Sequence, residues 1–151
     1  MTYEIPVAGG YLVSDDRTRL DIAVIHGFIA QESYWAQGRS HALVERSLAH
    51  SLCFGLYAPD GAQAGFARLV TDYATTCHLQ DVFVLSAHRG QGRGRALVAA
   101  VLGHPELNGV RRWTLSTRDA HTLYASFGFG LFPNPENQMV RMVAPAAASG
   151  G

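Results

Sequence analysis

Residues 89 to 94 read Arg89-Gly90-Gln91-Gly92-Arg93-Gly94, with three glycines at alternate positions. The stretch follows an apolar run typical of a strand and precedes an apolar run typical of a helix. Glycine allows positive φ and close backbone approach, so successive N–H groups can converge on a phosphate while the helix adds the positive end of its dipole. Arg89, Arg93 and Arg95 add positive charge at the same place. The stretch therefore predicts a site for an anionic group.

Two other phosphate-binding loops do not fit these residues. A Rossmann fingerprint needs Gly or Ala three positions after its second glycine, but a motif that starts at Gly90 or Gly92 has Arg95 or Leu97 there. A P-loop ends in Gly-Lys-Ser/Thr, whereas Gly94 is followed by Arg95 and an apolar run. Both of these nucleotide-binding classes are excluded.

Length and composition predict one globular domain. The chain has 151 residues, of which 48% are hydrophobic and 16% charged, enough for one buried core and too few for two ordinary domains. We expect this domain to span residues 1–144, with residues 145–151 as a disordered tail. Twelve basic and twelve acidic residues cancel, so no overall field attracts nucleic acid or an anionic membrane surface.

The cysteines and the first residues indicate the cellular compartment. Cys53 and Cys77 lie in apolar or β-prone stretches, with no second pair for a zinc site or a disulfide framework, so we expect no metal. Residues 1–6 have neither the basic start nor the apolar segment of a signal peptide. The longest apolar run, residues 96–102, is far shorter than the roughly 20 residues of a membrane helix. These features predict a soluble, cytoplasmic protein.

Hydrophobic periodicity predicts a strand, two helices, a hairpin, and then strands alternating with helices. The predicted strands cover residues 11–13, 52–58, 63–73, 78–85 and 113–117, with an edge strand at 139–143. The predicted helices cover residues 19–31, 41–51 after a Ser40 cap, and 97–102, and a last helix lies between an Asp119 cap and a Gly128 stop. Strand 78–85 reaches strand 113–117 through the glycine loop and one helix, so these two strands are expected to be parallel neighbours.

Two stretches resemble the two signatures of the GNAT superfamily of N-acyltransferases. The first signature, in the acyl-CoA pyrophosphate loop, is Arg or Gln, two residues, Gly, one residue, and Gly or Ala; Arg89, Gly92 and Gly94 match it. The second is an Ala, a Tyr four residues later and a terminal Gly-Phe; residues 119–129 resemble it, with Tyr124 at the required position. The predicted order of elements also follows this superfamily over nearly the whole chain.

The resemblance implies an α/β (α+β) fold of one domain, the GNAT fold. This fold has a mixed, mostly antiparallel twisted sheet, about four flanking helices and a central parallel strand pair that splays apart to bind coenzyme A. It implies acetyl-CoA as the co-substrate. The residues assigned to the cofactor are Phe83, Val84, Leu85, Arg89, Gly90, Gln91, Gly92, Arg93, Gly94, Arg95, Thr117 and Tyr124. Many members have Asn at the position of Thr117, whose shorter side chain offers one hydroxyl to the pantetheine arm.

The resemblance also implies that the Tyr124 hydroxyl lies near the cofactor sulfur. When an amine attacks a thioester, charge collects on the carbonyl oxygen and then on the departing sulfur, so the site needs an oxyanion donor and a proton for the thiolate. A phenol with a pKa of about 10 can supply that proton without being ionised at neutral pH. The family takes the oxyanion donor from a backbone N–H near a bulge, which here falls in residues 82–85.

An ammonium acceptor must lose a proton before it attacks, and His78 and Asp81 are the candidate bases. His78 lies where some family members place a carboxylate base, and imidazole titrates near pH 7. Asp81 lies in an otherwise apolar run, where burial disfavours an ionised carboxyl unless a partner such as Arg118 compensates. We favour Asp81 slightly over His78. Asp72 and Glu32 are weaker alternates.

The acceptor is expected to enter from the opposite side, past Glu32, Tyr34, Trp35 and Tyr73. Tyr34 and Trp35 either stack on a cationic or aromatic acceptor or pack beneath a helix junction. Two functions stay open: an enzyme that acetylates a primary amine of a small molecule or peptide, and a non-catalytic acyl-CoA sensor of the same fold. Acyl chain length is undecided, and so is a homodimer formed through the final strand or the helix faces.

Overall fold

The computed structural model describes residues 1–144, and the predicted tail from residue 145 lies outside them. The strands are β1 Glu4–Val7, β2 Tyr11–Ser14, β3 Leu52–Tyr57, β4 Gln63–Thr71, β5 Thr76–Val84 and β6 Arg112–Leu115. The helices are α1 Ile22–Gly27, α2 His41–Ala49, α3 Arg93–Leu102 and α4 His121–Ala125, with a π-helical turn, Phe28–Glu32, directly after α1. Within residues 1–144, every helix is too short or too polar to cross a bilayer.

All six strands form one sheet in the order β1-β2-β3-β4-β5-β6. Neighbouring strands are antiparallel except β5 and β6, which are parallel and paired from Thr76 opposite Arg112 to Leu79 opposite Leu115. The chain passes from β5 to β6 through α3, as a parallel crossover requires. The mixed sheet, its parallel pair and the four helices confirm the predicted fold class.

The helices cover both faces of the sheet. The first core cluster joins one face to α3 and α4 through Leu97, Val98, Ala100, Val101 and Tyr124. The second joins the other face to α1, its π-helical turn and α2 through Ile25, Phe28, Ile29, Val44 and Leu48. Full burial of one large aliphatic side chain contributes about 1.5–3 kcal/mol. The sheet is therefore held from both sides, and its loops are left to form the site.

A β-bulge at Asp81 interrupts β5. Phe66 of β4 is opposite Phe83 and Arg68 is opposite Gln80, so β5 uses one residue more than β4 over the same stretch. Asp81 has φ +54°, in the left-handed region that Asp and Asn tolerate better than other residues with a Cβ. The bulge therefore occurs at a residue suited to its backbone conformation.

The extra residue changes which face of the sheet the β5 side chains meet. Before the bulge Cys77 and Leu79 pack with the α3 cluster, whereas beyond it Val84 packs there and Phe83 packs against the α1 and α2 side. Because β6 ends at Leu115, opposite Leu79, the later part of β5 has an open edge. The two parallel strands thus part at the bulge.

Side-chain caps set the starts of α1 and α2. Asp21 and Ser40 each accept a hydrogen bond from the third backbone N–H of their helix, at 3.2 and 3.1 Å. The Ser40 cap confirms the prediction. The predicted start of the first helix at residue 19 is wrong, because Arg17–Arg19 form a separate 3-10 turn and α1 begins after Asp21.

The cap predicted for the last helix is also wrong. The N-terminal cap position of α4 is Ala120, not Asp119, and the Ala120 N–H donates to Thr117 Oγ1 at 3.0 Å. The predicted helix stop is confirmed, because Gly128 has φ +91° and its N–H donates to the carbonyl of Ala125.

The two ends of the chain differ from the prediction. β1 is absent from the predicted strands, although it pairs with β2 through a turn at Gly9 and Gly10, a dipeptide that favours hairpins. The predicted edge strand at residues 139–143 is not formed in the described chain, where Met139 and Met142 are 98% and 85% exposed. Four of the five residues of this stretch are apolar, but they stay exposed rather than packing on the sheet.

Candidate active site

A cleft of about 720 Å³ opens where β5 and β6 separate. Its walls come from residues 78–82 of β5, from residues 115–120 after β6, and from the connection between α1 and α2. The side chains of interest in its lining are Tyr34, Trp35, Arg39, His78, Asp81, Thr117, Arg118, Asp119 and Tyr124. A cavity of this size with a few convergent polar groups is typical of a small-molecule site.

A second cavity, of about 750 Å³, lies along the open edge of β6. Residues 111–117 and 129–133 line it together with His121 and Tyr124. It adjoins the first cleft at Tyr124 but includes neither the bulge nor any residue of β5. The chemistry is therefore assigned to the first cleft, which we call the splay cleft.

Asp81 is the centre of a buried charge network. Its Oδ2 accepts hydrogen bonds from Arg68 Nε at 2.8 Å and from Arg39 Nη1 at 3.2 Å. Its Oδ1 accepts one from Trp35 Nε1 at 2.8 Å. The carboxylate is paired with two guanidiniums, and Arg118 is not among its partners. Because both oxygens are engaged, Asp81 is suited to fasten the α1–α2 connection onto the bulge and poorly suited to accept a proton.

His78 is the other predicted base, and it also lines the splay cleft. Its Nδ1 lies 2.7 Å from Thr114 Oγ1 on β6. Burial, and to a smaller extent the charge of Arg68, lowers the imidazole pKa from its ordinary value of 6.5. The ring is therefore neutral near pH 7. When Nδ1–H donates to Thr114, the lone pair of Nε2 is available to take a proton.

Tyr124 lies at the base of the splay cleft and is 8% exposed. Burial, and next the neighbouring Tyr34, raises the pKa of its phenol above 10.0. The hydroxyl therefore keeps its proton at neutral pH. Thr117, also in the cleft, helps to place Tyr124 because its hydroxyl bonds the Ala120 N–H at the start of α4.

The glycine loop lies between β5 and α3 and leaves its backbone N–H groups free. Gly90 and Gly92 have φ +84° and +72°, and Gly92 caps α3 without any side-chain hydrogen bond. The first N–H of this helix to find a backbone acceptor is that of Ala96, which donates to the carbonyl of Gly92 at 3.0 Å. Within the described chain, the N–H groups of residues 90–95 are thus available to an anion at a helix N-terminus.

The three loop arginines are more constrained than the sequence suggests. Arg93 stacks on Tyr11, with its guanidinium carbon 3.9 Å from the ring centre, and donates to the carbonyl of His88. Arg95 donates to the hydroxyl of Ser126 at 2.8 Å, and Arg89 Nε donates to the carbonyl of Val84 at 2.7 Å. Arg93 therefore supports the loop rather than extending toward a ligand.

Tyr11 is a supporting residue that sequence reasoning missed. Besides carrying Arg93 on its ring, it hydrogen-bonds through its hydroxyl to Nδ1 of His88 at 2.7 Å. It thus ties the β1–β2 hairpin to the glycine loop, 77 residues further along the chain. Because the two residues are so far apart in the chain, no local sequence pattern predicts their contact.

Two predicted acceptor residues lie outside the splay cleft, whereas three charged residues that were not predicted for the site line it. Tyr73 is in the β4–β5 turn and Glu32 ends the π-helical turn, and neither belongs to the lining. Arg39, Arg118 and Asp119 do line the cleft. Tyr34 and Trp35, the other two acceptor candidates, also line it.

Phe83 can serve a cofactor only through its backbone. Its ring is buried and stacked on Phe28, with ring centres 4.1 Å apart, on the face that carries α1 and α2. The neighbouring Leu85 also packs on that side, and its N–H donates to the carbonyl of Ala64 at 2.8 Å. Both side chains are core residues.

Residues 49–130, more than half of the chain, match the family model described as an acetyltransferase (GNAT) domain. The chain belongs to the GNAT acetyltransferase family. The reaction of this family is acyl transfer from an acyl-CoA. A curated relative from Gibberella zeae, FG08082, provisionally named an acetyltransferase, is 32% identical over 138 residues, covering 77% of this chain and 76% of that protein.

Solved structures agree with the GNAT assignment. The Xanthomonas campestris pv. campestris protein xcc2953, described provisionally as a GNAT-family acetyltransferase, superposes with a TM-score of 0.85 at 49% identity, over 88% of this chain and 93% of that one. Rv2747 from Mycobacterium tuberculosis, in complex with CoA and NLQ, gives 0.64 at 19% identity, over 77% and 69%. The second similarity shows the fold alone.

Replacing Asp81 by Asn should destabilise the protein strongly. Asn tolerates the left-handed backbone, so the change removes the charge but not the bulge. A buried arginine that loses its partner costs about 3–5 kcal/mol, and we expect that loss in the free energy of unfolding. Urea denaturation measures it, and a loss below about 1 kcal/mol would contradict the role given to Asp81.

Replacing Gly92 by Ala should weaken coenzyme A binding by about tenfold, which is about 1.4 kcal/mol. A Cβ there meets no atom within 4 Å, so the protein stays folded, with a backbone cost of roughly 1–2 kcal/mol. Gly61, in the β3–β4 turn, has φ +90° and equal space, and Gly61→Ala is the matched control. Calorimetry should show weaker binding only for Gly92→Ala, and equal affinities would contradict the anion site.

Proposed function

We propose that this protein transfers an acetyl group from acetyl-CoA to a primary amine by direct attack within a ternary complex. The observation that carries the proposal is the continuity of three features along β5. The strand leads from a half-buried imidazole, through a bulge with an open edge, to a loop of free backbone N–H groups. Base, thioester site and diphosphate site thus follow one another on one strand and its loop.

The open edge of β5 supports a site for the thioester. The Leu85 N–H points to β4, where it donates to Ala64. Since successive peptide groups of a strand point to alternate edges, the backbone groups of Val82 and the N–H of Val84 face the opposite edge, beyond the end of β6, while the Val84 carbonyl accepts from Arg89. There they can bind the pantetheine amides, and an N–H can stabilise the carbonyl oxygen as negative charge develops on it.

Tyr124 is proposed to give a proton to the departing thiolate. Its raised pKa keeps the phenol protonated at neutral pH, and its place in the splay cleft puts it beside the open edge of β5. The thiolate takes that proton as the C–S bond breaks, and the phenolate recovers one, directly or through solvent, from the attacking nitrogen, which loses its second proton as the amide forms. Free coenzyme A and the N-acetylated amine are left.

His78 is proposed to take the proton of the attacking ammonium. The lowered pKa keeps its imidazole neutral near pH 7, and Thr114 fixes the ring through Nδ1. Asp81, in contrast, has both of its oxygens engaged, by Arg68, Arg39 and Trp35. We therefore assign the base role to His78 rather than to Asp81, which the sequence favoured.

The competing function is an acyl-CoA sensor without turnover. A sensor needs the glycine loop and the open edge of β5, but it has no use for a protonated phenol and a neutral imidazole in the same cleft. Two assays together distinguish the functions: calorimetric binding of acetyl-CoA, and release of free coenzyme A thiol with a panel of amines. Binding without thiol release from any amine would favour the sensor, and absence of binding would refute both.

Replacing Tyr124 by Phe should lower kcat by about a hundredfold, the lower end of the usual contribution of a general acid. The ring and its packing stay, so the dissociation constant for coenzyme A should stay within twofold. Thiol-release kinetics and calorimetry measure the two quantities. An unchanged kcat would remove the acid role of Tyr124, while the binding site would stand.

Replacing His78 by Gln should remove an acid limb from the pH profile. The wild type needs neutral His78, so its advantage over the variant should shrink as the pH falls through the lowered pKa, below 6.5. The ratio of the two kcat/KM values cancels the titration of the amine itself, which is the same for both proteins. A ratio that stays constant between about pH 5 and 8 would contradict the base role.

A further inference from the structure

The splay cleft contains one arginine that no acid neutralises. The charge of Asp81 is compensated by Arg68 and Arg39, which form ion pairs at 2.8 and 3.2 Å. Arg118 also lines the cleft, but within residues 1–144 it forms no ion pair, even with its neighbour Asp119. A cation in a substrate-sized cleft without its own counter-charge is suited to bind an anionic ligand group.

Arg118 is held in position by Tyr34. Its guanidinium carbon lies 3.7 Å from the centre of the Tyr34 ring, and its backbone N–H donates to the Tyr34 hydroxyl at 3.0 Å. Stacking uses the flat face of a guanidinium and leaves the N–H groups on its edge free. Arg118 is thus held in position while the N–H donors on the edge of its guanidinium stay unused. Two such donors can bind a carboxylate through two hydrogen bonds.

This arginine lies on the acceptor side of the sheet. Tyr34 belongs to the connection between α1 and α2, which cover one face, whereas α3 and the glycine loop at its start belong to the opposite face. The contact with Tyr34 therefore places Arg118 toward the face opposite to the one that carries α3 and its glycine loop. An anionic group held by Arg118 belongs to the acceptor rather than to coenzyme A.

Arg39 offers a second donor in the same lining. It reaches Asp81 with Nη1 alone, at 3.2 and 3.4 Å, and no hydrogen bond of its Nη2 occurs within residues 1–144. Both arginines line the cleft that also holds His78. Counting Arg68, which is paired with Asp81, three guanidiniums (Arg39, Arg68 and Arg118) outnumber two carboxylates (Asp81 and Asp119) by one. This net positive charge favours an acceptor with an anionic group.

We propose that the acceptor carries a carboxylate as well as its primary amine, as a free amino acid does, and that Arg118 binds this carboxylate. The inference rests on the proposed acetyl transfer and adds the class of acceptor to it. In this arrangement the carboxylate is fixed at Arg118, and the amine faces His78 and the thioester. Atoms balance as in the parent reaction: an N–C bond forms, the C–S bond breaks, and the amine proton leaves through His78.

The test uses acceptors that differ only in the carboxyl group. A panel of amino acids is assayed beside the corresponding amino acid amides and the amines that lack the carboxyl carbon, with release of coenzyme A thiol as the readout. The wild type should use at least one acid with a kcat/KM tenfold or more above its amide. Arg118→Gln should raise KM for the acid by tenfold to a hundredfold, with little change for the amide, and Arg118→Lys should restore part of the loss.

Two controls separate this inference from the parent function. Arg46→Gln changes an exposed arginine of α2 outside the cleft and should leave every rate unchanged. Calorimetry should give the same coenzyme A affinity for Arg118→Gln as for the wild type. Normal coenzyme A binding with equal use of acids and amides, or with equal losses for both in Arg118→Gln, would overturn the carboxylate site alone. Absence of coenzyme A binding would refute the acetyl transfer and this inference together.

If the protein turns over none of these acceptors, a binding experiment tests the carboxylate site. N-acetyl amino acids and their N-acetyl amides are then titrated into protein saturated with coenzyme A. Tighter binding of the acids, lost in Arg118→Gln and kept in Arg46→Gln, would support the carboxylate site. Equal or undetectable binding of both sets would overturn it.

Discussion

The ion pair between Asp81 and Arg68 is the interaction on which the rest of this site depends. It is buried between β4 and β5, and it stands where β5 carries one extra residue. A buried charge without a partner is very unfavourable, so the contact between the two side chains stabilises the fold at the bulge. Arg39 and Trp35 donate hydrogen bonds to the same carboxylate and thereby fasten the α1–α2 connection beside the bulge.

Three features of the cleft follow from that bulge. The bulge changes the face of the sheet to which the following β5 side chains point, so that Phe83 packs in one core and Val84 in the other. It lies immediately beyond the last residue pair of β5 and β6, so the strands part there and backbone groups are left unpaired. It also brings Trp35, and with it Tyr34, over the cleft. A structural ion pair thus shapes the cleft, and in the proposed reaction the chemistry belongs to other residues.

The glycine loop, the helix stop at Gly128, the Ser40 cap and the parallel strand pair could be predicted because their signals are local. Glycine at fixed offsets and a serine before an apolar run act on the backbone within a few residues. The partners of Asp81 lie 13 and 42 residues away, and the partners of Tyr11 and Arg118 lie 77 and 84 residues away. These contacts depend on the fold, which explains why the sequence offered Arg118 as the partner of Asp81 instead of Arg68 and Arg39.

Amide hydrogen exchange with and without acetyl-CoA tests the central claim, that the main chain of β5 and the glycine loop holds the cofactor. Saturating acetyl-CoA should slow exchange at the amides of residues 90–95, and also at Val82 and Val84, which face the open edge. The β3–β4 turn around Gly61 should exchange as before. Unchanged exchange in both β5 and the loop, at a concentration that saturates the protein, would contradict the account.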